Sequence, residues 1–219
     1  MIPLRDENPR RLFPFFTILI IIANVVVHVY QMLLPQEVQV QFVYTFGAVP
    51  DSIIHGRNMQ SIFTSMFLHG GLLHLLGNML YLWIFGDNIE GICGHFKFLL
   101  FYLLTGVIAF LSHFIVDPFS QIPMIGASGA ISGILGAYAL RFPRARVHIL
   151  VPFFPFFWIW RVFAVPAVIV LGFWFAMQLF NAFVAGGGGG VAWLAHIGGF
   201  VAGLLLIRRF EKRRYKVYY

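Results

Sequence analysis

Charged residues and cysteine are both scarce in this sequence. Only 11% of its 219 residues are Asp, Glu, Lys or Arg, whereas 60% are hydrophobic. A chain with so little charge cannot cover a globular surface with polar side chains, which excludes a water-soluble domain and predicts a polytopic membrane protein. Cys93 is the single cysteine, so the sequence contains neither an intrachain disulfide nor a thiol cluster for a metal or redox centre.

Several signature motifs are also missing. The metalloprotease motif H-E-x-x-H does not occur, and the glycine run Gly186–Gly190 lacks the Lys-Ser/Thr that completes a phosphate-binding loop. The net charge of +7 comes from basic residues near the ends of hydrophobic runs, so membrane topology explains it better than a nucleic acid partner. The internal repeat typical of small transporters is absent as well. We therefore expect a lipid bilayer as the environment and no metal, cofactor or nucleic acid.

The sequence does contain a succession of charge-free windows, each compared with the ~20 residues that a helix needs to cross the hydrocarbon of a bilayer. The six windows are Phe13–Leu34, Leu68–Gly86, Phe98–Val116, Ala127–Leu140, Val162–Ala185 and Val191–Ile207. They predict an all-α, six-transmembrane-helix bundle over residues 13–207, with a short cytoplasmic segment over 1–12 and a basic cytoplasmic tail over 208–219. The loop Asp117–Pro123 carries two prolines and cannot be continuous helix. We expect it to be re-entrant and to lead into a short fourth helix.

Lysine and arginine predict the orientation of these spans. If the amino terminus is cytoplasmic, only Arg57 among the basic residues lies on the outer side. The positive-inside rule therefore places both termini in the cytoplasm of a cell-membrane protein. Ser128 then lies at the outer start of the fourth span, and His196 lies about 7–8 Å below the outer end of the sixth, at about 1.5 Å per residue. His74 and Asn78, in the outer half of the second span, share the same layer.

Ser128 and His196 are the residue types of a nucleophile and its base. Ser128 lies in a G-x-S-G frame that begins at Gly126, and a serine is a weak nucleophile until a neighbouring base accepts its proton. Pairs of glycines four residues apart lie below each of them: Gly129 with Gly133, and Gly199 with Gly203. Such small faces allow two helix backbones to approach closely, which a serine hydroxyl needs in order to reach an imidazole.

His74 and Asn78 are candidates for the partners of an oxyanion. They are four residues apart, so they share one helix face and can point at one spot. An amide carbonyl under attack needs donors for the oxygen that becomes negative, and the Ser128 backbone N–H is a third candidate. Each residue taken alone also has a structural alternative: the serine can bond its own helix, the histidine a backbone carbonyl, and the asparagine a neighbouring helix.

The remaining polar residues are interpreted as structural. Asp87 and Glu90 are interpreted as solvated charges at the cytoplasmic end of the second span, where Glu90 can also receive a basic side chain from a neighbouring loop. A further group of histidines is interpreted as interfacial or packing residues without a matched partner: His28, His55, His95, His113 and His148.

Three blocks of the sequence resemble one known family. FLHGGLLHLLGNMLYLWIFGDNIE (Phe67–Glu90), GASGAISG (Gly126–Gly133) and AHIGGFVAG (Ala195–Gly203) are similar, in order and spacing, to the signature blocks of rhomboid intramembrane serine proteases. The resemblance implies a Ser128–His196 dyad and an oxyanion hole that includes His74 and Asn78. It also implies a structural role for His69 at the edge of the outer loop. We expect single-span membrane proteins as substrates, whereas the oligomeric state stays open.

The sequence departs from the family pattern at two places. Gln60 and Ser61 replace a Trp-Arg pair that many members carry in the first outer loop. Ser132 lies one turn after the nucleophile, where well-studied members have a tyrosine that packs on the histidine, so another residue must orient His196. No acidic residue matches a triad position, which favours a dyad. A catalytically dead, client-binding relative is the nearest alternative, but it would normally have lost Ser128 or His196.

Overall fold

The computed structural model describes residues 2–152, 160–185 and 192–212, and most of these are helical. The short helices lie between the first and second long helices: α2 (Gln36–Phe46), α3 (Pro50–Ile54), α4 (Ser61–Thr64) and a 3₁₀ turn (Ser65–Phe67). The long helices are α1 (Phe15–Leu33), α5 (Leu72–Cys93), α6 (His95–Phe114), α7 (Ser128–Arg141), α8 (Ala167–Ala185) and α9 (Trp193–Phe210). The glycine run 186–190 and residues 213–219 of the predicted tail lie outside the described residues.

The long helices fall on the charge-free windows, and the chain is a multi-pass membrane protein. Among the described residues, α1, α6, α8 and α9 are each long and apolar enough to cross a membrane. A fifth candidate is the segment Ser61–Phe67 together with α5, which meet at a bend of 93°. α7 has only 14 residues. Six spans and a re-entrant loop before α7 therefore stay predictions.

α7 lies at the centre of the bundle, and small residues bring α9 onto it. A methyl group on Gly199 would collide with the carbonyl oxygen of Gly129, and one on Gly203 with that of Gly133. Every residue from Ala130 to Tyr138 is buried. The helices therefore have the close contact that the paired glycines predicted, and this contact brings the first turns of α7 and α9 side by side.

The interpretation of Asp87 and Glu90 as solvated charges is wrong. α5 continues to Cys93, so both carboxylates lie inside the bundle, and Glu90 is 0% exposed. Its oxygens accept hydrogen bonds from the backbone N–H groups of Phe16 and Thr17 at 2.9 and 2.8 Å. The first N–H groups of a helix have no partner within the helix, so Glu90 satisfies the start of α1. His95, interpreted as having no partner, lies with Nδ1 2.6 Å from Glu90 Oε1.

The protein also contains a three-stranded antiparallel sheet, so the all-α prediction is wrong in this part. β1 (Ile2–Asp6), β2 (Arg146–Pro152) and β3 (Trp160–Pro166) pair in the order β1-β2-β3. In β2 and β3 the paired residues run from Arg146 opposite Pro166 to Pro152 opposite Trp160. The fifth window therefore starts as a strand, because an apolar run alone does not distinguish strand from helix.

β1 also changes the interpretation of residues 1–12, which were predicted only as a short polar segment. Asp6, the last residue of β1, accepts a hydrogen bond from the Tyr138 hydroxyl of α7. The Asn88 amide of α5 donates to the same carboxylate at 3.2 Å, and nearby Arg10 pairs with Asp87 at 2.9 Å. The amino-terminal segment is thus fastened to the helix bundle through buried polar groups.

Candidate active site

Ser128 and His196 lie in hydrogen-bond contact. Ser128 is the first residue of α7, directly after a turn in which Gly126 has φ +118°, a conformation that favours glycine. The Gly126 N–H donates to the Ser65 carbonyl at 2.9 Å, which fixes the turn. His196 lies in the first turn of α9, with Nε2 2.8 Å from Ser128 Oγ. The crossing of α7 and α9 thus brings together two residues that are 68 positions apart.

A residue of α8 holds His196 from the other side. Gln178 Oε1 lies 2.9 Å from His196 Nδ1, and Gln178 Nε2 donates to the Trp174 carbonyl at 3.3 Å. Because the amide nitrogen already donates to a carbonyl, Oε1 must accept, and His196 carries its proton on Nδ1. Its Nε2 lone pair therefore faces the Ser128 hydroxyl, which is the tautomer that a general base requires.

Two tryptophans contact the imidazole in place of the missing tyrosine. The rings of Trp174 and Trp193 each lie 6.1 Å from the His196 ring, centroid to centroid. Ser132, at the position of the family tyrosine, donates to the carbonyl of Ser128 at 2.6 Å. The sequence analysis missed Gln178 and Trp174. The signal was a glutamine in a mainly apolar window, with a tryptophan four residues earlier on the same helix face.

His74 and Asn78 lie over the turn that precedes Ser128. A methyl group placed on Gly126 would lie 2.9 Å from His74 Nε2 and 3.7 Å from Asn78 Nδ2. The Gly70 N–H donates to His74 Nδ1 at 3.4 Å, so the proton of a neutral His74 is on Nε2, the nitrogen nearer Gly126. Both side chains therefore have a donor near the start of α7.

His69 holds the side chain of Asn78 through a hydrogen bond. The Asn78 amide nitrogen lies 2.9 Å from His69 Nε2, and the His69 side chain is fully buried. An amide nitrogen can only donate, so His69 Nε2 accepts this hydrogen bond. The second Asn78 N–H stays available for the site.

These side chains line one cavity of about 620 Å³. Ser128, His196, His74 and Asn78 all contribute to its wall, which is otherwise mostly apolar. A cavity with a few convergent polar groups in an apolar wall is typical of a substrate site. Within the described ranges, no group of three or more His, Cys, Asp or Glu residues could hold a metal ion.

Comparison with known proteins identifies the family. The rhomboid domain profile matches residues 56–212. The rhomboid protease GluP of Bacillus subtilis is 34% identical over 124 residues, which are 57% of this chain and 24% of that protein. Rhomboid protein 1, mitochondrial, of Saccharomyces cerevisiae is 30% identical over 166 residues, 70% of this chain and 44% of that protein. The human presenilin-associated rhomboid-like protein, mitochondrial, is 35% identical over 109 residues, 49% of this chain and 28% of that protein.

This chain spans less than half the length of each of these relatives. The match to the rhomboid profile nevertheless covers more than half of the chain. The matched range also includes the serine of α7, the histidine of α9, and the histidine and asparagine of α5, all of which line the cavity. The chain therefore belongs to the rhomboid family.

Proposed function

We propose that the protein is an intramembrane serine endopeptidase that uses Ser128 as nucleophile and His196 as base. The observation that carries the proposal is the 2.8 Å contact between Ser128 Oγ and His196 Nε2, in the tautomer that Gln178 selects. A catalytically dead relative would have no need of this contact, so its presence favours the enzyme over a client-binding protein.

The reaction is an acyl transfer in two steps. His196 Nε2 accepts the hydroxyl proton while Ser128 Oγ attacks the carbonyl carbon of the scissile peptide bond. His196 then returns the proton to the leaving amine, and water releases the acyl group by the same route. During both steps the negative oxygen would be stabilised by the His74 Nε2–H, the free Asn78 N–H and the Ser128 backbone N–H.

The substrate class follows from the surroundings of the site. Hydrolysis consumes water, so the cavity must open to an aqueous phase. With both termini cytoplasmic, Ser128 and His196 lie nearer the external side of a cell membrane, and the cavity opens to that side. A substrate helix keeps its scissile carbonyl in an i to i+4 hydrogen bond until it unwinds. We infer that the enzyme cuts single-span membrane proteins near the external end of their helix, at a small residue.

Substitution of the two residues tests the dyad. We expect Ser128→Ala and His196→Ala each to abolish cleavage of a single-span substrate by the detergent-solubilised protein. We expect the double variant to be no worse than either single one, because groups that act as a unit are not additive. Ser128→Ala should leave the melting temperature nearly unchanged, since alanine fits a small-residue helix face. Substantial residual turnover in either single variant would contradict the assignment.

Product mapping tests the substrate class. Gly or Pro a few residues further into the substrate helix weakens it, so we expect a parent substrate with this pair to be cut faster than one with Leu at both positions. Mass spectrometry of the products locates the cut. Cleavage in the cytoplasmic half, or equal rates for both substrates, would overturn the proposed orientation and mechanism.

A further inference from the structure

The buried face of α1 is polar, although α1 is an apolar membrane-spanning candidate. Its buried residues are Thr17, Ile20, Asn24, His28 and Gln31, which follow one another at helical spacing. Most of its apolar side chains point outward instead, and Val26 and Met32, for example, are each 60% exposed. Burying polar groups is costly unless they are hydrogen-bonded, so this inner stripe calls for an explanation.

Several polar atoms of this stripe lack a hydrogen-bond partner, and two of its residues lie beside His69. Among the described residues, Asn24 Oδ1, both ring nitrogens of His28 and Gln31 Oε1 are buried without a hydrogen-bond partner. The Gln31 amide nitrogen donates to the His69 carbonyl at 3.2 Å. The His28 ring is perpendicular to the His69 ring, with centroids 6.3 Å apart. α1 therefore places the hydrogen-bonding groups of His28 and Gln31 next to His69.

His69 connects this stripe to the candidate active site. Its Nε2 accepts from Asn78, so a neutral His69 carries its proton on Nδ1. The Phe67 backbone interacts with the ring electrostatically, but Nδ1 is buried without a partner of hydrogen-bond geometry in the part of the chain that the structure describes. Buried water molecules that bridge polar groups typically make about three hydrogen bonds each. The unpartnered acceptors beside His69 that such water could use are Gln31 Oε1 and a His28 nitrogen.

We propose that His28 and Gln31 are positioning residues that act through His69 on Asn78. They hold bridging water against His69 Nδ1–H, which keeps Nε2 unprotonated and able to accept from the Asn78 amide. If His69 changed tautomer, its Nε2–H would face the Asn78 N–H, and Asn78 would turn away from the reacting carbonyl. The inference rests on the proposed function, in which Asn78 is an oxyanion donor.

Two near-isosteric variants test this proposal. His28→Phe keeps a planar ring and removes both nitrogens, and Gln31→Met removes the amide at nearly constant length. We expect each to lower kcat for a single-span substrate about 10-fold with little change in KM, which is less than the 10²–10³ typical of a lost oxyanion donor. His28→Gln, which keeps hydrogen-bonding groups, should retain most of the activity. Tyr30→Phe and Met32→Leu, on the exposed side of the same helix, are the matched controls.

A double-variant comparison separates positioning from general destabilisation. In an Asn78→Ala background the effects of His28→Phe and Gln31→Met should disappear, because the residue through which they act is gone. Losses that persist in full in that background would overturn the proposal, and so would unchanged kcat in both single variants.

The tautomer of His69 is a readout that does not depend on turnover. Nitrogen NMR of histidine-labelled Ser128→Ala protein should show the His69 proton on Nδ1, with loss of this preference in the His28→Phe derivative. A proton on Nε2 in the parent protein would overturn the inference even if no variant folds. Failure of the wild-type protein to cleave would instead contradict the proposed function, and the tautomer measurement would still decide the role of α1.

Discussion

At the scale of single residues, His196 depends on a glutamine of α8. Gln178 is only 6% exposed, and its amide is held by the Trp174 carbonyl on one side and by His196 on the other. The side chain is neutral, so it orients the imidazole and accepts its Nδ1–H without adding a second buried charge. In the proposed reaction, this hydrogen bond becomes charge-assisted when His196 takes the proton of Ser128.

Substitution of Gln178 should therefore lower kcat more than it changes KM. We expect Gln178→Met to reduce kcat about 10- to 100-fold, because a hydrogen bond to a charged group contributes about 1.5–3 kcal/mol and each 1.36 kcal/mol is a factor of ten in rate. Gln178→Glu keeps an acceptor at the same place and, as the neutral acid, can also donate to the Trp174 carbonyl, so it should stay much closer to the wild-type rate. Steady-state kinetics with one single-span substrate checks both. Equal losses in the two variants would show that the acceptor is not what matters.

At the scale of elements, the crossing of α7 and α9 sets the distance between nucleophile and base. The two helices touch through backbone atoms at Gly199 and Gly203, so no side chain on α9 can separate them there. The contact lies directly below Ser128 and His196. A small displacement of one helix would lengthen the hydrogen bond on which the proposed chemistry depends, and a misplacement of about 1 Å can cost on the order of 10²-fold in rate.

Alanine at Gly203 tests this contact. We expect Gly203→Ala to destabilise the protein by about 1–3 kcal/mol, as overpacking does in a tight core, and to lower cleavage because α9 moves away. Gly172→Ala is the matched control, since Gly172 is a helical glycine of α8 with no atom near the added methyl group. Thermal unfolding in detergent should show a lower melting temperature for the first variant alone. A similar lowering in both would contradict the prediction, because alanine has the higher helix propensity and the methyl group added at Gly172 meets no neighbour.

At the scale of the whole molecule, the amino-terminal strand is tied to the bundle through Asp6. Burial, together with the nearby charge of Asp87, raises the pKa of Asp6 to about 6, although the Tyr138 hydrogen bond opposes the shift. The folded state thus binds the proton more tightly than the unfolded chain, in which an aspartate has a pKa of about 3.9. Ionising Asp6 therefore costs more free energy in the folded state than in the unfolded chain. This loss of stability is absent below about pH 4 and reaches its full size above about pH 6.

The stability of the protein should therefore depend on pH through this residue. We expect the contribution of Asp6 to stability to fall as the pH rises from about 4 to above 6. In this range the folded state loses a proton that it binds more tightly than the unfolded chain does. The difference in melting temperature between wild type and Asp6→Asn, measured across this range, isolates the contribution from other titrating groups. Parallel curves for the two proteins would contradict the prediction.

Much of the candidate site is readable from the sequence because its signals are local. The spacing of His74 and Asn78 places both on one helix face, and the charge-free windows mark six helices. The small residues beside Ser128 and His196 predict that the two helices touch. Each of these inferences needs only the geometry of a helix and the preference of apolar residues for the bilayer. Both apply to a short segment without knowledge of the rest of the chain.

Other features depend on partners far away in the chain, and only the tertiary structure decided them. Glu90 became the cap of α1 because the bundle brings it to Phe16 and Thr17, more than 70 positions earlier. The strands of the sheet pair residues as distant as Ile2 and Leu150, and their apolar pattern alone is compatible with helix. In the sequence, Gln178 and His28 are only polar residues within long, mainly apolar windows. Their roles come from what lies opposite them, which hydrophobic periodicity does not encode.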